Sequence, residues 1–439
     1  MARYTITVSP GRLVLSALMS TILIGTFLLM LPFCQNIPIS FIDCFFTATS
    51  ATCCTGILPV QFDSFTYIGK LIILLLIQIG GIGIVTLLLS ITAIFTKLKL
   101  STQLIATHIL DLDTWKDAQR VLLFIIGFSL TIELFGATII YWLIRSNYAS
   151  SAEALFYSFF HSVSSFCSVG LITRHTNMIQ YASSNGMLLI TGFLILCGGL
   201  GFFTWYDFFE NYITGERKDL TLNTRVVMRV TAMLIFGLTI LLLLLEGSNH
   251  FSGLPWYTKS INMLFNAIAY RSAGLTSMAM PSLQVATVFL IVMYSLIGSS
   301  PGSTGSGIKV TTFAIFIATI RTVISGEASI TIMEEKIYQE QIFKALAIFS
   351  FSLFWIIIST ICLAVIEPQL GFANLFFETV STFTTLGLAT DITPYLSFAG
   401  KLLVMINMVV GRVGPLTLLL ALRSRHEIKE YLHERLMIG

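Results

Sequence analysis

The chain has 439 residues, of which 55% are hydrophobic and only 11% are Asp, Glu, Lys or Arg. A soluble domain carries about a quarter charged residues, so the soluble-enzyme class is set aside. The net charge of +3 is too small to point to nucleic acid, and an odd count of seven cysteines argues against a disulfide framework.

Most apolar residues fall in runs near or above the roughly 20 needed for a helix to cross a bilayer. The first, Leu13 to Phe33, ends in Leu-Pro-Phe-Cys without a small-x-small cleavage pattern and reads as a retained span rather than a signal peptide. Eight full spans are expected, at 13–33, 69–95, 118–144, 186–210, 224–246, 284–323, 341–366 and 399–423. The sixth is too long for one simple helix and is interrupted by GSSPGSTGSG, Gly298 to Gly307. Between successive pairs of spans lie four shorter apolar pieces: FIDCFFTATSATCCTG, ALFYSFFHSVSSFCSVG, INMLFNAIAYRSAG and NLFFETVSTFTTLG. Pieces with about 10–14 apolar residues suit re-entrant helices. A closing glycine suits a helix that descends partway and then turns back.

The four pieces read as copies of one unit. Gly56, Gly170, Gly274 and Gly387 end them, at spacings of 114, 104 and 113 residues, and each precedes a branched apolar residue (Ile57, Leu171, Leu275, Leu388). A recurrence of this kind marks an internal repeat. The expected fold is therefore an all-α polytopic membrane protein. Four tandem helix–pore loop–helix repeats, at 1–100, 101–215, 216–335 and 336–439, surround one pseudo-fourfold pore.

Charge placement gives an independent check. With a cytoplasmic N-terminus, the inside segments carry Arg3, Arg12, Lys97, Lys99, Lys116, Arg120, Arg217, Lys218, Arg225, Arg229, Arg321, Lys336, Lys344, Arg423, Arg425, Lys429 and Arg435. The outside segments carry Lys70, Arg145, Arg174, Lys259, Arg271 and Lys401, so the split is 17 to 6. This matches the positive-inside rule with both termini cytoplasmic and puts all four re-entrant pieces on the outer side.

Non-helical backbone at membrane depth is tolerated where it lines a hydrated path, and there its carbonyls replace an ion's water shell. Four such segments around an axis make a ring from one chain. The expected selectivity filter, with potassium as its ion, is Cys53-Cys54-Thr55-Gly56, Cys167-Ser168-Val169-Gly170, Ser272-Ala273-Gly274 and Thr384-Thr385-Leu386-Gly387. Backbone coordination leaves the side chains before each glycine free to vary. Taken singly, each glycine reads equally well as a packing or turn residue.

These residues carry a resemblance. SATCCTG, FHSVSSFCSVG, AYRSAG, SGIKVTTF, STFTTLGL and VGRVGPLTLLL resemble motifs of the ion-conducting membrane subunit of bacterial Trk and Ktr potassium-uptake systems, and the likeness runs through essentially the whole chain. It implies that Gly56, Gly170, Gly274 and Gly387 match the family's filter glycines. A serine at the first position is associated with sodium selectivity in some plant members, so Gly56 favours potassium. Cys53, Cys54 and Cys167 depart from the hydroxyl or amide residues of many relatives. The resemblance further implies a homodimer with one pore per protomer and a cytoplasmic ring of Rossmann-like nucleotide-binding subunits (KtrA/TrkA-like). It also implies a bacterial plasma-membrane location, and the size of the chain is closer to the Ktr type.

The break in span six is the oddest apolar stretch: glycines and a proline weaken regular helix there. The resemblance assigns it to an intramembrane gating loop, with Gly298, Gly302, Ser303, Thr304, Gly305, Ser306, Gly307 and Lys309 as gate residues. Ser303, Thr304 and Ser306 are expected to hydrogen-bond the loop shut. Arg412 lies within an apolar run, and an intramembrane arginine is a functional candidate by default, a snorkelling anchor being the plainer reading. The resemblance places it below the filter, bracing the loop and opposing cations. Arg271 is expected either to pair with Glu378 or to mark the wet outer vestibule. Asp43, Asp63, Glu246 and Asp391 are expected to enrich cations at the mouth through their field, and Glu133 to be a paired structural residue.

No Walker or dinucleotide fingerprint is present, which disfavours ATP-driven pumping by this chain. Basic segments at 97–120, 213–229 and 320–344 suit a soluble regulator. The rival class is a sodium-coupled secondary transporter of low K/Na selectivity, which also uses broken helices.

Overall fold

Helix starts follow local chemistry in the computed structural model, which describes residues 10–83, 86, 115–171, 177–215, 219–251, 253–390, 392–414 and 417. Arg3, Lys97, Lys99, Arg174, Arg217, Lys218, Asp391, Arg423, Arg425, Lys429, Arg435 and the side chain of Lys116 lie outside the described residues. The first described helix is α1 (Pro10–Leu29). Ser40 caps α2 (Phe41–Thr52) by accepting the Asp43 N–H at 3.2 Å. Thr66 caps α3 (Tyr67–Ile82) by accepting from Gly69 at 3.3 Å.

The order continues with α4 (Trp115–Ile144), α5 (Ser151–Phe166), α6 (Asn185–Gly199) and α7 (Phe202–Phe208), the last running into a π-helical turn over Phe209–Thr214. Next come α8 (Leu222–Glu246), α9 (Trp256–Ala269), α10 (Val285–Leu296) and α11 (Val310–Ser325). A two-residue hairpin, Thr331–Ile332 with Glu335–Lys336, leads to α12 (Gln339–Ile366), α13 (Phe372–Thr384) and α14 (Phe398–Val413). At about 1.5 Å per residue, the re-entrant helices α2, α5, α9 and α13 fall short of the roughly 30 Å hydrocarbon core. They end inside the protein, as their lengths require.

Among the described residues, four helices are long and apolar enough to cross a membrane unbroken, within residues 11–29, 118–147, 222–246 and 339–366. Of the eight expected spans, the sixth is interrupted as expected and the fourth is sharply bent, while most of the second halves of the second and eighth, 84–95 and 415–423, lies outside the described residues. In the first and fourth units, α3 and α14 stop after 16 residues each, at Gly83 and Gly414. In the second, α6 and the helical stretch starting at Phe202 meet at 93° around Gly201. In the third, α10 and α11 are separated by residues 297–309. Gly83, Gly201 and Gly414 share left-handed backbone at φ 89°, 88° and 84°, which side chains disfavour. Hydropathy is blind to this, because a single glycine lowers the score of a long apolar window only slightly.

In the first, second and fourth units the short helix packs against both flanking helices, in the third α9 packs on α8, and the second flanking helix of each unit then reaches the short helix of the next. The cross-unit pairs are α3 with α5, α6 with α9, α10 with α13, and α14 with α2, so the fourth unit closes on the first. Small residues permit the close approach inside each unit. A methyl at Gly80, Gly198 or Gly411 would lie 2.0, 1.9 or 1.7 Å from the carbonyl oxygen of Thr52, Phe166 or Phe383, at the C-terminal ends of α2, α5 and α13. Gly198→Ala is expected to destabilise the fold by about 1–3 kcal/mol, as overpacking does. A lowered melting temperature of the detergent-purified protein is the readout; an unchanged one contradicts the packing argument.

Candidate ion pathway

Three of the four re-entrant helices end alike. Cys54, Ser168 and Thr385 take left-handed backbone at φ 57°, 54° and 51°, each at an expected cost of about 1–2 kcal/mol. The next N–H then reaches back five residues: Thr55 to Ser50 at 2.8 Å, Val169 to Ser164 at 2.9 Å and Leu386 to Ser381 at 2.8 Å. Gly56, Gly170 and Gly387 follow at φ 83°, 78° and 88°. The segment after α9 turns differently. Ala273 donates to Ala269, four residues back, at 2.9 Å, and Gly274 sits at φ 60° with no left-handed residue before it.

The glycines form a closed circuit. A Cβ on Gly56 would lie 1.7 Å from the Val169 oxygen; on Gly170, 2.1 Å from Ala273; on Gly274, 2.4 Å from Leu386; on Gly387, 2.1 Å from Thr55. Each glycine thus touches the carbonyl of the residue before the next unit's glycine. Several side chains around them are engaged elsewhere, while the buried hydroxyls of Thr55 and Thr385 have no hydrogen-bond partner among the described residues. Cys53 is fully buried, the Cys54 thiol points to the Ile77 carbonyl at 3.9 Å, and the Cys167 thiol to Gln78 Oε1 at 3.8 Å. Gln78 in turn donates to both oxygens of Glu133 at 2.9 and 3.0 Å, the pairing expected for that carboxylate. Thr384 bonds Val380 O at 2.8 Å within its helix. Ser164 and Ser381 hold the carbonyls of Leu171 and Leu388 at 2.8 and 2.5 Å.

Outside this circuit lies a cavity of about 330 Å³ lined by Gly56, Asn177, Thr276, Met280, Gly387 and Pro394, among others. Of the carboxylates expected to act through an open field, the three that are described, Asp43, Asp63 and Glu246, are paired. Asp43 pairs with Lys401 and Asp63 with Lys70, both at 2.7 Å. Glu246 is fully buried and accepts from Gln284 N–H at 2.9 Å, Thr287 at 2.5 Å and His250 at 2.9 Å, tying α8 to the start of α10. Arg271 is also buried, away from Glu378. It donates to the Gly298 carbonyl at 2.9 Å, while Glu378 accepts from Thr393 at 2.6 Å.

Residues 298–309 lie on the other side of the circuit. Gly298 N–H bonds Ile308 O at 3.0 Å, and its Cα packs on Gly307, which sits at φ 79°. The Gly302 carbonyl accepts from Phe202 at 2.8 Å, and the Ser303 hydroxyl bonds Ser300 O at 2.5 Å. Thr304 makes the central contacts: its N–H to Gly198 O at 3.2 Å, its hydroxyl to Phe166 O at 3.0 Å and to Ser168 at 3.3 Å. Gly305 lies against the hydroxyls of Ser299 and Ser272, which bond each other at 2.9 Å. Lys309 donates to Gly305 O at 2.7 Å. The Ser306 hydroxyl, expected to help hold the loop, has no partner; the Ser306 carbonyl accepts from Ser299 instead, at 3.3 Å.

Arg412 joins this loop to the first unit. Its guanidinium donates to the Thr304 and Gly80 carbonyls, and to Gly81 O at 3.2 Å. Read against GGIG (80–83) and GGLG (198–201), GRVG (411–414) puts Arg412 where the other two units have a second glycine. That short motif was the available signal for the helix breaks. A cavity of about 250 Å³ opens beneath, with Lys309, Arg412, Gly302 and Ser303 in its wall.

Residues 12–433 match the TrkH family, described as cation transport protein. The chain is 33% identical to Ktr system potassium uptake protein B of Bacillus subtilis, over 93% of this chain and 92% of the relative. It is 30% identical to the potassium/sodium uptake protein NtpJ of Enterococcus hirae, covering 98% and 97%. The fold matches the crystal structure of the potassium transporter TrkH from Vibrio parahaemolyticus with a TM-score of 0.72 at 20% identity, over 96% of this chain and 87% of that one. An all-α polytopic membrane fold, spans broken at glycines and these matches agree: the chain belongs to the TrkH family of cation transport proteins, a transporter and not an enzyme.

Proposed function

We propose that the chain performs gated, potassium-selective translocation across the bacterial plasma membrane for potassium uptake, through one pore enclosed by four tandem units. The observation that carries this reading is the closed circuit from Gly56 to Val169, Gly170 to Ala273, Gly274 to Leu386 and Gly387 to Thr55. Backbone oxygens in such a ring take the place of water around a cation. The C-terminal ends of α2, α5 and α13 add partial negative charge beside it. Residues 298–309 obstruct the path as a gate, and Arg412 braces them. The 17-to-6 distribution of basic residues supports cytoplasmic termini. A homodimer, with nucleotide sensed by a separate cytoplasmic ring, completes the proposal; it rests on family likeness.

A second reading, a sodium-coupled carrier of low selectivity, is favoured by the name of the Enterococcus hirae relative, a potassium/sodium uptake protein. Purified protein in liposomes, with potassium and sodium gradients applied separately, distinguishes the two. Potassium flux that exceeds sodium flux and needs no sodium is the expected result. Equal fluxes, or potassium movement that stops without sodium, favour the second reading.

A further inference from the structure

The filter segment after α9 lacks the five-residue reach-back of its counterparts, so something else must hold it. Asn177, from the loop before α6, supplies the brace. Its side chain stands beside the outer cavity, with its own backbone at φ 50°, a conformation asparagine tolerates. Its Oδ1 accepts the N–H groups of Thr276 at 3.1 Å and Met178 at 2.8 Å. Two N–H donors fix which amide atom is oxygen. The Nδ2 therefore faces the Gly274 carbonyl, at 3.3 Å. The Met178 N–H also bonds Thr276 O at 3.1 Å, which docks the loop on the strand.

The placement differs from the tethers in other units. Ser164 and Ser381 hold the carbonyl one residue past their glycine, at Leu171 and Leu388. Asn177 instead takes the carbonyl of the glycine itself. A carbonyl oxygen has two lone pairs, and a donor on one of them fixes its direction and reduces what it offers a cation.

We propose that Asn177 is a specificity-determining positioning residue: by hydrogen-bonding the Gly274 carbonyl it sets the ligand field at the outer end of the ion path. The proposal rests on the filter reading above. Asn177→Asp keeps an acceptor for Thr276 and Met178 but replaces the donor to Gly274 with a second carboxylate oxygen and adds a negative charge, so the loop retains its brace while the carbonyl loses its partner and gains a repulsive neighbour. Asn177→Ala removes both. In liposomes, the potassium-to-sodium permeability ratio is expected to change about fivefold in Asn177→Asp, the equivalent of about 1 kcal/mol for one hydrogen bond, and at least as much in Asn177→Ala. A ratio equal to that of the unmodified protein in Asn177→Asp, with flux retained, overturns the proposal. So does a drop in both fluxes by one common factor, which is what a merely structural loop residue gives. Gly56→Ala in parallel keeps the two readings apart: if it too leaves the ratio unchanged, the filter reading fails, and if it alone alters the ratio, only the role of Asn177 fails.

Discussion

Gly56→Ala is expected to collapse potassium selectivity while leaving the protein inserted in the membrane. Two costs act at one position. The backbone sits at φ 83°, and the new methyl would start 1.7 Å from the Val169 carbonyl oxygen. That oxygen is backbone, so no side-chain rotation relieves the overlap; the segment after α2, the segment after α5 or both must shift. A left-handed residue with a Cβ costs about 1–2 kcal/mol and overpacking adds about 1–3 kcal/mol. If even 1.4 kcal/mol of this appears as a difference between the two ions, discrimination falls about tenfold. Gly127→Ala is the control, because nothing lies within 4 Å of a Cβ there. Separate potassium and sodium fluxes in liposomes give the ratio. A Gly56 variant that matches the Gly127 variant in both fluxes removes the basis for a glycine-lined filter.

Sequence alone singles out the four glycines that the structure brings into one circuit, because four short segments repeat a glycine followed by a branched apolar residue at a spacing no single helix explains. It also carries the pairing of Glu133, whose place inside a long apolar run demands a partner. The helix breaks were harder to see. Gly83, Gly201 and Gly414 are defined by dihedral angle, and a search for apolar length joins straight through them. The charges misled for a different reason. Glu246 reads as the wet end of a span, yet the chain folds back to bury it under Gln284 and Thr287. Arg271 lies beside the filter in sequence, but its partner, the Gly298 carbonyl, belongs to the loop beneath. Such long-range partners are set by packing between elements, which residue patterns do not encode. Asn177 is the extreme case: a polar residue in an ordinary loop becomes informative only when Gly274 and Thr276 appear beside it.

Arg412→Ala is expected to raise basal ion flux in the absence of any regulator. The guanidinium holds the carbonyls of Thr304, Gly80 and Gly81, so one side chain ties the loop to the first unit's helix break. Hydrogen bonds to a charged group contribute about 1.5–3 kcal/mol each. Losing the equivalent of one of them shifts the balance between closed and open by about tenfold to a hundredfold. Deleting residues from Gly302 to Gly307 is expected to act in the same direction, since it removes Thr304 and the contacts that seat it. Arg412→Lys separates two ways in which the arginine can oppose flux. Lysine keeps the positive charge but is a compact point donor that cannot span carbonyls the way a planar fork does. If bracing dominates, the lysine variant leaks like the alanine variant; if electrostatic repulsion of cations dominates, it stays as tight as the unmodified protein. Flux measured on reconstituted, correctly inserted protein decides between them. Should both the alanine variant and the shortened loop leave basal flux where it was, residues 298–309 are a static support of the filter and the gate must lie elsewhere along the path.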